Sequence, residues 1–281
     1  MADGGRSVAS IELFDAGHNT VQELGSLAER RAGHTATLLG GGRLLIAGGY
    51  NGEYLASLEV FEPSARSFRP TGSLLEGRGG HTATLMPDGR VLFVGGVGRG
   101  WTFLRSAELY DPETGRSEPV GSMNVPREGH TSTLLADGRV LIIGGHSGRR
   151  PNKHDAIKLA DGRVLVIGGA DRSDRVHFAT TEIYSPQTAT FKRGPAMANQ
   201  RYKIAGTSVL LPNGDVLVTS GARVAERLDL GSWTFHEIPG RFPSAFRFAA
   251  AAPLREGDVV IVGGYSDGNE NTAGVWRFQQ P

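Results

Sequence analysis

Four histidines occupy one position in successive copies of a short sequence repeat, and histidine is the commonest metal ligand in proteins. They are His34, His81, His130 and His154. No carboxylate recurs beside them in the repeat to complete a metal site. We therefore interpret them as hydrogen-bonding residues that tie the start of one strand to its neighbour, and we predict no metal and no cofactor.

Glutamates recur at one position of a second repeat, and paired acids are a common catalytic device. The set is Glu12, Glu59, Glu108, Glu182 and Glu226. A catalytic acid normally belongs to a constellation of unlike residues that occurs once in the chain. We therefore expect these glutamates to make structural contacts between neighbouring units, and no catalytic residue is predicted.

Arginines precede the histidine-containing segment in three copies of the first repeat, at Arg31, Arg78 and Arg127. Lys203 takes the aligned place in the fifth copy, and Arg247 lies one residue off in the sixth. Arginine has two interpretations here, because it bonds loop carbonyls as well as it binds ligands. The first makes these residues structural, and the second makes them the lining of a binding site.

Loops that follow the Gly-Gly pairs carry further basic and aromatic residues. The candidate binding residues there are Tyr50, Trp101, His146, Arg149 and Tyr265. Glu53, Glu128 and Glu270 reduce the positive charge of the same loops. A surface that combines cations with aromatic rings suits a protein, an acidic peptide or an anionic glycan.

The elements that position these residues are hairpins of a repeated type. One copy runs Gly80-His-Thr-Ala-Thr-Leu85, a turn, and Gly89-Arg-Val-Leu-Phe-Val-Gly-Gly96. Its β-branched residues predict strands, and its Asp-Gly turn predicts a tight connection. Copies lie near residues 31–49, 78–96, 127–145, 151–169, 203–221 and 246–264. The apolar runs before Gly-Gly indicate inner strands buried on both faces.

A second, half-exposed hairpin alternates with the first and contains the glutamate. Its copies include Leu58-Glu-Val-Phe-Glu-Pro63 and Ala107-Glu-Leu-Tyr-Asp-Pro112. One inner and one outer hairpin make four strands, which is one blade of a β-propeller. The period is 47 residues from Gly49 to Gly96 and 49 residues from Gly96 to Gly145. This spacing is longer than a WD40 blade and matches a repeat of about 50 residues.

The double glycine, the Tyr-Asp-Pro-like motif and the Gly-His-Thr-Ala-Thr motif together resemble Kelch repeats of the galactose-oxidase central-domain type. The resemblance covers nearly all of the chain and implies a single Kelch β-propeller over residues 1–281. It also implies that arginines near the repeat position of Arg31 line a peptide-binding mouth, as in animal Kelch substrate adaptors. The copper-radical chemistry of galactose oxidase needs a cysteine crosslinked to a tyrosine, and this chain has no cysteine.

One step of the repeat is irregular, because only 24 residues separate Gly145 from Gly169. Two inner-type hairpins therefore follow each other within residues 127–169, and one outer hairpin is missing. Either residues 127–169 form a single blade whose outer half has an inner-type sequence, or one blade is a two-stranded stub, which we favour slightly. Six inner hairpins predict an all-β propeller of six blades, with five and seven as alternatives.

The bulk composition excludes several classes of function. The 30 basic and 29 acidic residues give no overall attraction to nucleic acid or membrane. Apolar runs are of strand length, and the first residues lack the apolar core of a signal peptide. We expect a cytoplasmic location unless a leader has been removed, and the oligomeric state stays open.

Three hypotheses for function remain. The first is a non-enzymatic scaffold that binds a protein, a peptide or a glycan through the basic loop surface. The second is an enzyme with its active site at the channel mouth, such as a sugar isomerase or a lyase-like protein. The third is a non-catalytic propeller domain of a larger secreted protein.

Overall fold

The computed structural model describes residues 7–148, 154–171, 175–254, 257–266, 272 and 274–279. The chain divides into two compact units, Met1–Leu134 with His146–Arg149 and Leu135–Gly145 with Arg150–Pro281. The expectation of a single domain over residues 1–281 stays a prediction. None of the described helical segments is long and apolar enough to span a membrane.

The first unit contains one two-stranded hairpin and two four-stranded antiparallel sheets, the first and second blades. The hairpin is formed by β1 (Val8–Asp15) and β2 (Thr20–Arg31). The first blade contains β3 (Thr35–Leu38), β4 (Leu44–Ala47), β5 (Ser57–Glu62) and β6 (Ser67–Ser73). The second blade contains β7 (Thr82–Leu85), β8 (Val91–Val94), β11 (Ala107–Asp111) and β12 (Arg116–Val120). A small hairpin of β9 (Val97–Gly98) and β10 (Thr102–Phe103) lies between β8 and β11.

The second unit contains the third, fourth and fifth blades, whose strands are again antiparallel. The third contains β15 (Asp155–Lys158), β16 (Val164–Ile167), β17 (Thr181–Ser185) and β18 (Thr190–Arg193). The fourth contains β19 (Ser208–Leu210), β20 (Val216–Val218), β21 (Glu226–Asp229) and β22 (Thr234–Glu237). The fifth has three strands, β23 (Ala250–Pro253), β24 (Val259–Val262) and β25 (Val275–Phe278).

The prediction of six blades is wrong, because the described residues form five. All six inner hairpins form, but the hairpin of β13 (Glu128–Leu134) and β14 (Val140–His146) is a two-stranded sheet without an outer hairpin. The next inner strand, β16, pairs with β17, so the outer hairpin that follows residue 169 completes the third blade. The favoured interpretation of the short step, a two-stranded stub, is therefore confirmed, and the stub is the hairpin of β13 and β14.

The core lies between neighbouring sheets. Val91 and Phe93 of the second blade pack with Leu45 and Leu58 of the first, and all four side chains are buried. Equivalent clusters join the third blade to the fourth and the fourth to the fifth. Inner strands carry near-continuous apolar runs because both of their faces are covered.

The Gly-Gly pairs are required where one segment passes close to the next. Gly48 has a φ of 60°, and a Cβ atom there would lie 2.5 Å from the carbonyl oxygen of Arg78. The amide of Gly49 donates to that same carbonyl oxygen at 2.8 Å. Only glycine combines the left-handed backbone with this close approach, so the motif fixes each blade to the segment that follows.

Candidate functional site

The repeated arginines Arg31 and Arg78 are buried rather than exposed, at 3% and 1% relative accessibility. Arg31 donates to the carbonyl oxygens of Gly48 at 2.8 Å and Ser57 at 3.1 Å, and to the Glu59 carboxylate at 2.8 Å. Each arginine therefore closes its own blade by joining the end of the second strand to the start of the third.

Arg78 repeats the same contacts in the second blade. It donates to the carbonyl oxygens of Gly95 and Ser106 and to the Glu108 carboxylate, at 2.8, 3.3 and 2.5 Å. A buried guanidinium group whose donors are used inside the blade is not available to a ligand. We therefore interpret Arg31 and Arg78 as structural residues.

Arg201 occupies this position in the fourth blade and was missed by the sequence alignment, which placed Lys203 there. Arg201 is fully buried and donates to the carbonyl oxygens of Ser220 and Val224 and to the Glu226 carboxylate. Burial lowers the pKa of Arg201, and the Glu226 charge opposes that shift. The sequence held one indication that Arg201 takes this position, the spacing between the arginine and the glutamate of the same blade. This spacing is 25 residues from Arg201 to Glu226 and 28 residues from Arg31 to Glu59.

The recurring glutamates also hold the segment that enters their blade. The second carboxylate oxygen of Glu59 accepts from the amide of Ala28, and those of Glu108 and Glu226 accept from the amides of Leu75 and Ala198. These three glutamates are buried. These three glutamates therefore have the predicted structural role, whereas Glu12 and Glu182 of the same predicted set are exposed.

The remaining basic candidates lie in different surroundings. Arg127 is partly buried, and its carbonyl oxygen accepts from the amide of Gly96 at 2.9 Å. Lys203 places its ammonium group 4.8 Å from the Tyr202 ring and 5.5 Å from the Phe248 ring. Arg247 is partly buried and pairs its backbone with Tyr265. Arg149 lies outside the described residues, and a ligand role for these four stays a prediction.

The repeated histidines join neighbouring inner strands, as expected. His81 Nε2 lies 3.0 Å from the Thr35 hydroxyl, and His130 Nε2 lies 2.9 Å from the Thr82 hydroxyl. Burial, assisted by the charge of Arg78, lowers the pKa of His81 to about 3. Within the described ranges, no group of three His, Cys, Asp or Glu side chains could hold a metal ion.

Asp155 replaces this histidine–threonine bond between the third and fourth blades. Ile204 stands three residues after Arg201, whereas Arg31, Arg78 and Arg127 are each followed by histidine at that distance, so no imidazole is present there. The Asp155 carboxylate instead accepts from the amides of Gly206, Thr207 and Ser208, at 2.8–3.1 Å. Burial raises the pKa of Asp155 in spite of these bonds.

The fifth blade substitutes two aromatic rings for the ion pair. The amide of Gly221 donates to the carbonyl oxygen of Phe246, which places Phe246 where the first, second and fourth blades have arginine. Trp276 pairs with Ile261 as Glu226 pairs with Val218 in the fourth blade, so Trp276 takes the place of the glutamate. The Phe246 and Trp276 ring centroids lie 4.5 Å apart, so an apolar contact fills the space of the salt bridge.

An aromatic surface lies on the first unit, formed by the exposed Trp101 and the partly buried Tyr50 and Tyr54. Ring centroids are 5.0 Å apart for the two tyrosines, and Trp101 lies 6.1 and 5.9 Å from Tyr50 and Tyr54. Trp101 is 61% exposed and has a φ of 61°. A left-handed tryptophan costs of order 1–2 kcal/mol, and such outliers cluster at functional sites.

Charged groups of both signs lie near this aromatic surface, with the exposed Arg99 two residues before Trp101. The carboxylate of Glu128 lies 3.0 Å from His146 Nε2, and the His146 ring contacts Phe103 at 5.5 Å between centroids. Burial and the negative charge of Glu128 raise the pKa of Tyr54 to about 12, so its hydroxyl stays a hydrogen-bond donor. Two predicted binding residues, Tyr50 and Trp101, are thus brought together, and Tyr54 is a neighbour that the sequence analysis missed.

A second group of aromatic residues lies on the second unit. The His177 and Tyr202 rings stack at 4.4 Å, and Lys203 bridges Tyr202 to Phe248. Phe248 lies 6.1 Å from Tyr265, and both are more than 40% exposed. The predicted residue Tyr265 therefore belongs to an aromatic group whose nearest described cation is Lys203 or Arg247.

The comparisons with known proteins agree on the fold. A model of the Kelch motif matches residues 78–124. A solved fungal alcohol oxidase of the AA5 family, described as in complex with copper, superposes with a TM-score of 0.73 at 14% identity. The match covers 99% of this chain and 68% of that one. No curated protein matches the chain.

The antiparallel four-stranded sheets and the structural match define a β-propeller fold, and residues 78–124 carry a Kelch motif. Its structural neighbour is a galactose-oxidase-type protein, as the sequence motifs indicated. At this level of identity the likeness concerns the fold, since one fold carries many functions.

The residues of this chain do not fit the copper site that such a neighbour implies. The chain has no cysteine, and the described residues contain no three-residue metal-binding group. The positions nearest to a repeated imidazole are Thr35 and Thr82, which are hydrogen-bonding partners. No copper chemistry is therefore assigned to this chain.

Proposed function

We propose that the chain is a non-enzymatic binding module that recognises a protein or peptide segment through Tyr50, Tyr54 and Trp101. The observation that carries this proposal is the 61% exposure of Trp101 beside two tyrosine rings. Tryptophan and tyrosine dominate the energetic centres of protein interfaces, because they bury a large area with few rotatable bonds.

The backbone around Trp101 is held in place before any ligand arrives. Trp101 ends a tight turn, Arg99–Trp101, between the paired strands β9 and β10. The amide of Leu104 donates to the carbonyl oxygen of Gly96 at 2.8 Å, which closes this insertion onto the Gly-Gly pair. A preorganised aromatic group binds with less loss of conformational entropy.

The charge around the aromatic surface bears on the kind of partner. An acidic peptide or anionic glycan was expected because of the repeated arginines, and Arg31 and Arg78 are buried in ion pairs. The charged groups near the aromatic rings are Glu128, paired with His146, the exposed Glu53, and the exposed Arg99 at the start of the turn that Trp101 ends. Charges of both signs therefore lie near the rings, and the proposal rests on the aromatic contact and not on the charge of the peptide.

A display library of random peptides, selected on the immobilised protein, tests this function. We expect enriched peptides whose affinity falls at least 30-fold, or about 2 kcal/mol, in W101A. The control is F191A, which removes another exposed aromatic ring, on β18. If the enriched peptides bind W101A as tightly as the native protein, the aromatic surface is not the binding site.

A glycan array probed with the same variants distinguishes the ligand class. Glycan binding that depends on Trp101, with no peptide enriched, would replace the peptide by a sugar. The oxidase neighbour suggests a catalytic function as the alternative, and similarity of fold is the observation that supports it.

A further inference from the structure

The third blade keeps the glutamate of the repeat but lacks its arginine. In three of the other motifs arginine stands three residues before histidine, as in Arg78 and His81. Three residues before His154 the sequence has Pro151, which carries no side-chain donor. The partner acid is retained as Glu182, in register with Val166 of β16.

The backbone acceptors that surround arginine in the other blades are also retained. Gly168 and Thr180 correspond to Gly95 and Ser106, because each glycine amide donates to the carbonyl oxygen of its partner, at 3.1 and 3.0 Å. In the second blade those two residues supply the carbonyl oxygens that receive Arg78. The third blade therefore presents the same three acceptors, two carbonyl oxygens and one carboxylate.

These acceptors line a pocket of roughly 300 Å³ in the second unit. Gly168, Thr180, Glu182 and His154 form its polar side, and Val166 and Phe178 contribute apolar surface. Glu182 is exposed, whereas Glu59, Glu108 and Glu226 are at most 2% accessible. Within the part of the chain that the structure describes, the Glu182 carboxylate accepts no hydrogen bond and forms no ion pair.

We propose that this pocket is a binding site for a guanidinium group, supplied by an arginine side chain or a small guanidinium compound. Three other blades show that the same acceptor set holds a guanidinium group, with bonds of 2.5–3.3 Å. The planar fork of five N–H donors matches two carbonyl oxygens and a carboxylate better than an ammonium group does. Phe178 also lines the pocket, and an aromatic ring can stack with a guanidinium group.

A titration with N-acetyl-arginine-methylamide, followed by ¹⁵N NMR of the full chain, tests the site. We expect saturable shifts at the amides of Gly168, Gly169 and Glu182. The citrulline analogue has the same shape but no charge, and we expect it to bind at least tenfold more weakly. The Glu182→Gln variant should lose binding by a similar factor, and Glu12→Gln, at an exposed glutamate of β1, should not.

Arg149 and Arg150 precede Pro151 in the sequence and are an internal source of the same group. The titration is therefore repeated in the double variant Arg149→Ala/Arg150→Ala. Equal binding in both proteins identifies an external ligand, and binding that is stronger in the double variant identifies an internal one. Absence of saturable shifts in both proteins, or shifts that persist in Glu182→Gln, would overturn the proposal.

Discussion

The third and fourth blades are neighbours in the second unit, and the repeated glutamate has a different environment in each. Glu226 of the fourth blade is fully buried against Arg201, with the two groups 2.8 Å apart. Glu182 of the third blade opens into a pocket and has no arginine at the matching sequence position. One acid is thus a structural residue, and the other is available to a ligand.

The difference shows that a repeated residue acquires its role from its partner. Buried charges persist in a core only when they are paired. The fifth blade supports the same rule, because it loses both charges and pairs Phe246 with Trp276. We therefore infer that ligands bind where the repeat is broken, at Glu182 and at Trp101.

The largest effect is expected from breaking the buried pair of the fourth blade. Arg201→Ala leaves Glu226 buried without its cation, and we expect a loss of about 3–5 kcal/mol in the free energy of unfolding. Urea denaturation of the native and variant proteins measures it. The matched change in the third blade, Glu182→Gln, should alter stability by less than about 0.5 kcal/mol.

A double variant sharpens this result. Arg201→Met/Glu226→Leu removes both charges and keeps apolar volume, so it should recover most of the lost stability. A double variant as unstable as Arg201→Ala would show that the pair itself, and not the unpaired charge, determines the stability of the fourth blade.

The next largest effect concerns Asp155, which joins the third blade to the fourth. Asp155→Ala removes the acceptor of the amides of Gly206, Thr207 and Ser208. Buried donors without acceptors cost about 1–3 kcal/mol each, and we expect a total loss near 3 kcal/mol. Asp155→Asn retains one acceptor oxygen and should lose less, which thermal unfolding of the two variants can measure.

The sequence predicted the hairpins of this fold because each one repeats an apolar run and a Gly-Gly pair. It did not predict the blade count, since residues 127–145 have an inner-type sequence and form only a two-stranded sheet. Arg201 was missed because the segment from this arginine to Gly221 is two residues longer than the segment from Arg78 to Gly96. The longer segment contains a turn in which the amide of Thr207 donates to the carbonyl oxygen of Ile204. Counting back from Gly221 therefore reached Lys203.

The site was predicted less completely than the fold. Tyr50 and Trp101 were identified from the loops that follow Gly-Gly, but their contact depends on the small β9–β10 hairpin. The burial of Arg31 and Arg78 depends on carbonyl oxygens of strands that are distant in sequence. No local pattern distinguishes such an arginine from an exposed one.

A smaller effect on stability is expected when the pH is lowered and His81, between the first and second blades, becomes protonated. The pKa of His81 is about 3 in the folded protein and near 6.5 in an unfolded chain. The folded state therefore loses stability as the pH falls below about 6.5, by up to about 1.4 kcal/mol per pH unit from this group. Denaturation between about pH 7 and pH 4.5 should show a shallower slope in His81→Gln, and an unchanged slope would contradict the assignment.

The distinction between repeated structural residues and unique binding residues is tested most directly by measuring stability and peptide affinity together in R78A and W101A. We predict that R78A loses about 3–5 kcal/mol of stability, or fails to fold, whereas W101A keeps the native stability and loses binding at least 30-fold. An R78A protein that folds with native stability but no longer binds the selected peptide would contradict the account and return the repeated arginines to the binding site.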